Sequence, residues 1–146
     1  MNDNIRVVKL HPNAKLPTYG SVEAAGADLY ACLDEPVTIM PGDSGWIPTG
    51  IALEVPKGCA GLIYARSGMA AKRNLAPANK VGVIDSDYRG EIKIVLLNHG
   101  KVPQTIEPGE RVAQFVITPV ITPSYEEVSA LSDTDRGFGG FGSTGK

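Results

Sequence analysis

The chain has 146 residues, with 14 Lys and Arg against 16 Asp and Glu, which leaves a net charge of −2 at pH 7. This length suits one domain with a sizeable core. The near balance of charge excludes the strongly basic surface by which proteins hold nucleic acid, so we expect no nucleic-acid partner. A phosphorylated ligand would instead need a local group of positive side chains or a metal ion.

The two cysteines, Cys32 and Cys59, form no CxxC pair and have no neighbouring histidines, which argues against a structural zinc site. Unpaired thiols are typical of a reducing compartment. No apolar run approaches the length that crosses a bilayer. We therefore expect a cytoplasmic protein without a membrane partner.

Short apolar or alternating segments recur along the chain, and many of its 17 glycines and 11 prolines separate them. A repeat of about 8–12 residues with such turn signals is typical of an all-β sandwich or barrel. The segments predicted to be strands are, in chain order, 5–10, 27–33, 36–40, 46–55, 58–65, 81–84, 91–98, 102–106 and 111–121.

One short helix is predicted from Ser67 to Asn74. Ser67 is a suitable N-cap, and Ala70 and Ala71 have high helix propensity. Asn74 tolerates the left-handed conformation in which many helices end.

The segment GVIDSDYRGEI, residues 82–92, places two acids, a tyrosine and an arginine between two glycines, with apolar runs on either side. This pattern predicts a β-hairpin whose rigid tip carries Asp85 and Tyr88. An ordinary solvated turn explains the same residue types. Asp85 and Asp87 are both candidates for a general base, and their spacing alone does not choose between them.

After Pro123 the sequence becomes polar and then rich in glycine, with five glycines among the last ten residues. Such a segment cannot form a core of its own. A disordered terminus is the ordinary interpretation. The presence of Arg136, Phe138 and Phe141 favours a segment that becomes ordered when a ligand binds.

The sequence of the tail also matches two nucleotide-binding motifs. Residues 137–142 spell GxGxxG, and residues 140–146 spell GxxxxGK. Both motifs depend on a following helix whose N-terminus receives the phosphates. Because the sequence ends at Lys146, we expect neither a Rossmann site nor a Walker site.

Five segments resemble, in order, the five signature motifs of the homotrimeric dUTPases (deoxyuridine 5′-triphosphate nucleotidohydrolases). They are AGADLYA at 25–31, ARSGMAAK at 65–72, GVIDSDYRG at 82–90, GERVAQF at 109–115 and RGFGGFGSTG at 136–145. The resemblance implies an all-β, jelly-roll-like barrel or sandwich with one short helix and a flexible glycine-rich tail. It also implies a β domain over 1–122 and an arm over 123–146 that closes a neighbouring subunit's active site in a homotrimer.

The resemblance implies Mg²⁺-dependent hydrolysis of dUTP to dUMP and pyrophosphate, which limits uracil in DNA and supplies dUMP for thymidylate synthesis. Asp85 would activate the water that attacks the α-phosphorus, Asp87 would be a turn residue, and Gln114 would orient the water or an α-phosphate oxygen. Asp28 would contact the hydration shell of Mg²⁺, held mainly by the triphosphate. A strand-edge salt bridge is an equal alternative for Asp28, with Arg111 as a candidate partner.

The remaining site residues are assigned by substrate group. The triphosphate would contact the start of the helix, a suitable point for an anion, and the tail: Arg66, Ser67, Gly68, Arg136, Gly142, Ser143 and Thr144. Uracil would be read by Asn79, Gly82, Val83, Ile84 and Lys93, and stacked on by Phe141. Tyr88 would pack its ring against the deoxyribose and exclude a 2′-hydroxyl. Phe138 receives no role, and Arg89 is expected to be structural.

Two alternatives remain at this stage. A dCTP deaminase has a related fold, but such enzymes lack aromatics of the Tyr88 and Phe141 type, and the zinc-deaminase signature is absent from this sequence. A dUTP-sensing regulatory module would use the same pocket without catalysis. The presence of Asp85 and Gln114 argues against a purely binding role but leaves room for a second one.

Overall fold

The computed structural model describes residues 4–145, whose regular structure consists of short strands and one helix. The strands are β1 (Val7–Lys9), β2 (Thr18–Tyr19), β3 (Ala27–Tyr30), β4 (Val37–Ile39), β5 (Ser44–Pro48), β6 (Ile51–Leu53), β7 (Cys59–Tyr64), β8 (Leu75–Pro77), β9 (Gly82–Ile84), β10 (Lys93–Asn98), β11 (Gln104–Ile106) and β12 (Arg111–Pro119). The helix, α1, runs from Ser67 to Arg73. The first three residues of the predicted β domain and Lys146, the last residue of the GxxxxGK pattern, lie outside the described residues.

Antiparallel pairing joins these strands into several open sheets. The largest has the order β2-β3-β12-β7-β9, and a second has the order β5-β10-β8. Strand β1 pairs with β6, and β4 pairs with β11. Within residues 4–145 no sheet closes on itself. The fold is a jelly-roll-like β sandwich rather than a closed barrel, which confirms the predicted all-β class with one short helix.

One hydrophobic cluster connects the sheets. Ile47, Ile51, Leu75, Leu96 and Ile106 come from five different strands, and each has 0% of its surface exposed. Burying a side chain of this size is worth about 1.5–3 kcal/mol relative to leaving it in water. The apolar and alternating segments of the sequence therefore marked most of the strands, because the side chains on the inner face of a strand are buried in the core.

The run 46–55, predicted as one strand, is two. Strand β5 ends at Pro48 and β6 begins at Ile51, and the two belong to different sheets. Gly50 has a φ of +67° between them, a conformation that glycine adopts without steric cost. The Thr49 hydroxyl donates a 2.6 Å hydrogen bond to the Ile92 carbonyl and fixes the bend. The short strands β2 and β8 were not predicted.

The helix confirms one prediction about its ends and corrects the other. Asn74 has φ 53° and ψ 35°, which is the predicted left-handed C-terminal conformation. Ser67 is not the N-cap, because the extended residue Arg66 holds that position without a side-chain capping bond. At the other end, Arg73 donates to the Gln104 side chain at 3.0 Å and also pairs with Glu110.

The predicted hairpin of residues 81–98 was wrong. Strand β9 pairs with β7, whereas β10 pairs with β5 and β8 in the other sheet. Eight residues separate Ile84 from Lys93, more than the usual two to five of a hairpin loop. The turn that carries Asp85 therefore connects two sheets.

A close contact across the largest sheet depends on Gly61. A Cβ atom at this position would lie 2.5 Å from Cε2 of Phe115, a core ring that is only 4% exposed. We expect Gly61→Ala to lower the free energy of unfolding by about 1–3 kcal/mol, as overpacking a core does. Urea unfolding at one fixed protein concentration measures this effect. Gly20→Ala is the matched control, since nothing lies within 4 Å of a Cβ there, and equal midpoints for the two variants would contradict the prediction.

Among the described residues, no helix is long and apolar enough to cross a bilayer.

Candidate active site

A cavity of about 210 Å³ opens at one end of the largest sheet. Three neighbouring strands contribute to this end, because Asp28 on β3 is opposite Gln114 on β12, and Gln114 is opposite Tyr64 on β7. The cavity is lined by Gly20, Ala24, Gly26, Asp28, Arg66, Ser67 and Gln114. Four of the predicted site residues therefore meet here.

Asp28 is the buried charge of this cavity, with 9% of its surface exposed. Its Oδ1 accepts a 2.8 Å hydrogen bond from Nε of Arg66, and its Oδ2 accepts one of 3.3 Å from Arg111. The predicted pair with Arg111 is confirmed. Both carboxylate oxygens are thus occupied by cations, and the pairing holds Arg66 beside the first turn of α1.

The start of α1 offers unpaired backbone donors beside Arg66. The first bond inside the helix runs from the Ala70 N–H to the Arg66 carbonyl, at 3.0 Å. The amides of Ser67 and Gly68 precede that bond, and no side chain caps them. Both residues are exposed. Free N–H groups next to a guanidinium are the donors that a phosphate group prefers.

Gln114 has a fixed orientation in the cavity wall. Its amide nitrogen donates a 2.9 Å hydrogen bond to the Ala65 carbonyl. Its Oε1 lies against Gly26, where an added Cβ would be 2.5 Å away. The role of Gly26 was not identified from the sequence, although this glycine lies in the first quoted motif and directly before a strand. The side-chain oxygen of Gln114 is free to orient a polar ligand.

A second group of predicted site residues lies on β9 and the turn that follows it. Strand β9 is the last strand of its sheet, and alternate backbone groups of an edge strand face away from its partner. Asp85 is exposed, and Tyr88 has 42% of its surface exposed. Arg89 closes the turn, since its guanidinium donates to the carbonyls of Ser86 at 2.8 Å and Tyr88 at 3.0 Å. This contact gives Arg89 a local structural role in the turn.

These two groups are far apart within one chain. Ile84 is opposite Gly61 on β7, whereas Gln114 is opposite Tyr64. Asp85, which follows Ile84, therefore lies about four residues away from Gln114 along the strand direction, which is about 13 Å. The two strand spacings between β12 and β9 add about 10 Å across the sheet. One copy cannot bring Asp85 and Gln114 to the same phosphate group.

Asn79 and Lys93 occupy separate positions. Asn79 lies in an exposed turn before β9, where its carbonyl accepts a 2.8 Å hydrogen bond from the Val81 N–H. Lys93 begins β10, is opposite Pro48 and lies 3.6 Å from the Glu91 carboxylate. Because the hairpin does not form, Lys93 is not in register with β9.

The tail makes no hydrogen bond to the β domain among the described residues after Val120. Within it, Nε of Arg136 donates to the Gly139 carbonyl at 2.7 Å. Phe141 has a φ of 50° and is fully exposed. Ser143 and Thr144 are also exposed. None of these predicted substrate contacts lines the cavity of the same chain.

Within residues 4–145, no group of three or more His, Cys, Asp or Glu side chains is arranged to hold a metal ion. Asp28 is the acid in the cavity wall, and its two oxygens are already paired with arginines.

Comparisons with known proteins agree with one another. The model of the dUTPase family matches residues 12–145. The chain is 48% identical to the deoxyuridine 5′-triphosphate nucleotidohydrolase of Syntrophotalea carbinolica over 97% of this chain and 96% of the relative. It is 49% identical to the same enzyme of Desulfitobacterium hafniense, over 97% and 94% of the two chains. A mutant dUTPase of Staphylococcus bacteriophage 80alpha, solved with dUpNHpp, has a TM-score of 0.90 and 29% identity, with coverage of 99% and 100%.

Proposed function

This chain belongs to the dUTPase family and hydrolyses dUTP, and we propose that it does so in a site shared between copies, releasing dUMP and pyrophosphate. The observation that carries this proposal is the separation of Asp85 from Gln114 along the sheet. The residues around Asp85 and those around Gln114 each carry part of the chemistry. A second copy must therefore supply the part that is missing from each site. A closed ring of identical copies repeats one such contact at every interface. The homotrimer implied by the sequence resemblance satisfies this requirement.

The cavity is the phosphate end of the proposed site. Arg66 provides positive charge, and Ser67 and Gly68 provide backbone N–H donors without a competing cap. Charge-assisted hydrogen bonds of this kind are about twice as strong as neutral ones. Gln114, anchored through Ala65, presents its side-chain oxygen to the water or to an α-phosphate oxygen.

Asp85 is the proposed general base. It is exposed on a turn whose two ends belong to different sheets. Arg89 donates a hydrogen bond to the Ser86 carbonyl within this turn. A carboxylate held in this way can accept a proton from water as the water attacks the α-phosphorus. Asp87 lies in the same turn and is assigned no part in the proton transfer.

Uracil and the sugar are assigned to the edge strand and its turn. The outward backbone groups of Gly82, Val83 and Ile84 support reading of the uracil edge, because β9 has a partner strand on one side only. The ring of Tyr88 packs against the deoxyribose and leaves no room for a 2′-hydroxyl. Asn79 and Lys93 complete the base contacts in the proposal.

The tail, as part of the arm over 123–146, completes the site in a neighbouring copy. Its supporting observation is that residues 121–145 make no hydrogen bond to their own β domain. Arg136, Gly142, Ser143 and Thr144 bind the outer phosphates, and Phe141 stacks on uracil. The full exposure of Phe141 supports this role, because its ring is available to stack on a base.

Mg²⁺ is the proposed cofactor, and the donor set of the cavity fits a loosely held ion. Mg²⁺ keeps several waters and binds mainly through substrate phosphates. Asp28, whose oxygens are paired with Arg66 and Arg111, fits a contact through water better than direct coordination. When bound, the ion offsets the negative charge of the triphosphate.

A cytoplasmic location is also part of the proposal. Cys32 and Cys59 are both free thiols. Burial first, and the negative charges of Asp34 and Glu91 after it, raise the pKa of the Cys32 thiol, which keeps it protonated near neutral pH. Unpaired thiols suit a reducing compartment.

Substrate choice tests the proposed function directly. With Mg²⁺ present, we expect dUTP to be cleaved at least about a hundredfold faster than UTP, dTTP or dCTP, the range that pocket contacts can supply. The measurement is pyrophosphate release at equal nucleotide concentrations. Ammonia release from dCTP would instead indicate a deaminase, and dUTP binding without any turnover would indicate a sensing module.

A further inference from the structure

The Tyr88 side chain is fixed by the residues that follow it in the chain. Its hydroxyl donates a 2.9 Å hydrogen bond to the carbonyl oxygen of Glu91. The ring also lies against Gly90, where an added Cβ would be 2.6 Å from Cζ. Tyr88 still has 42% of its surface exposed. One end of the ring is therefore held by its own turn while the rest faces outward.

Gly90 is required for space rather than for backbone freedom. Its φ lies outside the left-handed region, so its backbone conformation is open to other residues. The obstacle to a side chain is the hydroxyl end of the Tyr88 ring. An exposed side chain can rotate away from such a contact, whereas packed backbone cannot. A larger residue at position 90 would therefore displace the ring and leave the fold intact.

The carbonyl that holds the tyrosine is itself anchored to the core. The Glu91 carboxylate accepts a 3.0 Å hydrogen bond from the Gly50 N–H. The next residue, Ile92, is 1% exposed, and its carbonyl accepts the 2.6 Å bond from the Thr49 hydroxyl. Because these contacts hold the backbone of Glu91 in place, the Glu91 carbonyl does not follow the ring. Displacement of the ring therefore breaks the hydrogen bond between the Tyr88 hydroxyl and that carbonyl.

We propose that Gly90 is a specificity-determining position, which sets the preference for deoxyribose over ribose by holding Tyr88 in place. The inference rests on the proposed packing of Tyr88 against the sugar. With glycine at position 90, the ring stays against the turn and fits a C2′ that carries only hydrogen. With a side chain there, the displaced ring loses its fit to the deoxyribose. UTP, which does not benefit from that fit, loses less than dUTP.

The test compares kcat/KM for dUTP and UTP in Gly90→Ala and in the parent enzyme. We expect the ratio of the two values to fall about tenfold or more, the size of effect that one lost pocket contact produces. The KM for dUTP should change more than kcat, because packing on the sugar acts before and during the reaction alike. Ser86→Ala is the matched control in the same turn. It keeps the carbonyl that Arg89 binds, so its ratio should equal that of the parent.

A second variant keeps the inference testable if Gly90→Ala does not accumulate as folded protein. Tyr88→Phe retains the ring and removes only the bond to Glu91, so the ratio should fall about two- to tenfold, the effect of one hydrogen bond. Thermal unfolding of each variant reports whether the fold is retained.

Tyr88→Ala separates failure of this inference from failure of the proposed function. If Tyr88→Ala loses the preference and Gly90→Ala keeps it, Gly90 has no such role and the proposed function stands. Equal losses on dUTP and UTP in Gly90→Ala would show a structural role alone and overturn the inference. If Tyr88→Ala keeps the preference, the proposed contact between Tyr88 and the sugar is wrong, and the role of Gly90 is wrong with it.

Discussion

Asp85→Asn is expected to lower kcat for dUTP by about 10²–10⁴-fold, the contribution of a positioned general base. Asparagine keeps the size of the side chain and its hydrogen-bonding oxygen but cannot take the proton of the attacking water. Affinity for dUTP should change little, because the triphosphate and uracil contacts come from other residues. Single-turnover rates and binding of dUTP to the variant measure these two quantities separately.

Asp87→Asn is the matched control for this prediction. Both acids are exposed and lie two residues apart in one turn, so the loss of one negative charge from the turn is common to both variants. The Asp87 variant should retain most of the parent kcat. A large loss in the Asp87 variant together with a small one in the Asp85 variant would identify Asp87 as the base.

Removal of residues 136–146 is expected to abolish useful activity and to leave the β domain folded. Residues 136–145, the part of the removed segment that the structure describes, make no hydrogen bond to residues 4–119. The core therefore loses no hydrogen bond. The site loses the donors of Arg136, Ser143 and Thr144 for the outer phosphates. Pyrophosphate release measures the loss, and an unchanged unfolding midpoint shows that the β domain is intact.

Mixing two inactive proteins tests whether sites are shared. A tail-less subunit retains Asp85, and an Asp85→Asn subunit retains its tail. When the two are unfolded together and refolded in equal amounts, about a quarter of the sites in a cyclic trimer combine an intact Asp85 with an intact tail from different copies. Activity should return, although each parent alone is inactive.

Two further mixtures complete this experiment. The first combines Arg66→Ala subunits, instead of truncated ones, with Asp85→Asn subunits. It tests whether the cavity and Asp85 of one site come from different copies, as their separation along the sheet requires. A protein that carries both the truncation and Asp85→Asn, mixed with itself, is the inactive control. If mixtures that contain heterotrimers by mass remain inactive, the tail serves its own subunit and the shared site is wrong.

Much of the fold was predictable because its causes are local. Apolar runs bounded by polar and turn residues marked β10 and β12, whose inward side chains include Leu96 and Val112 at 0% exposure. Asn74 ended the helix as its tolerance for the left-handed conformation predicted. The motif residues also indicated the chemistry, since an acid on a turn and an arginine at a helix start have the same properties wherever they lie.

The arrangement of the candidate site was less predictable, because it depends on strand partners far away in the sequence. The segment around Gly82 and the segment after Lys93 looked like the two arms of one hairpin. Their apolar patterns are satisfied equally well by separate sheets, and the eight-residue connection favours that outcome. The close contact between Gly26 and Gln114 also joins residues that are distant in sequence.

The sequence by itself determined the β class, the short helix and the set of residue types available for dUTP hydrolysis, because alternation, turn chemistry and side-chain chemistry are properties of neighbouring residues. Only the tertiary structure decided that Arg66 joins the predicted partner Arg111 on Asp28 and that Asp85 lies far from Gln114. These distances follow from the register of β9 on β7 and of β7 on β12. Register is selected by packing across the whole sheet, and a local pattern does not encode which distant strand will be its partner.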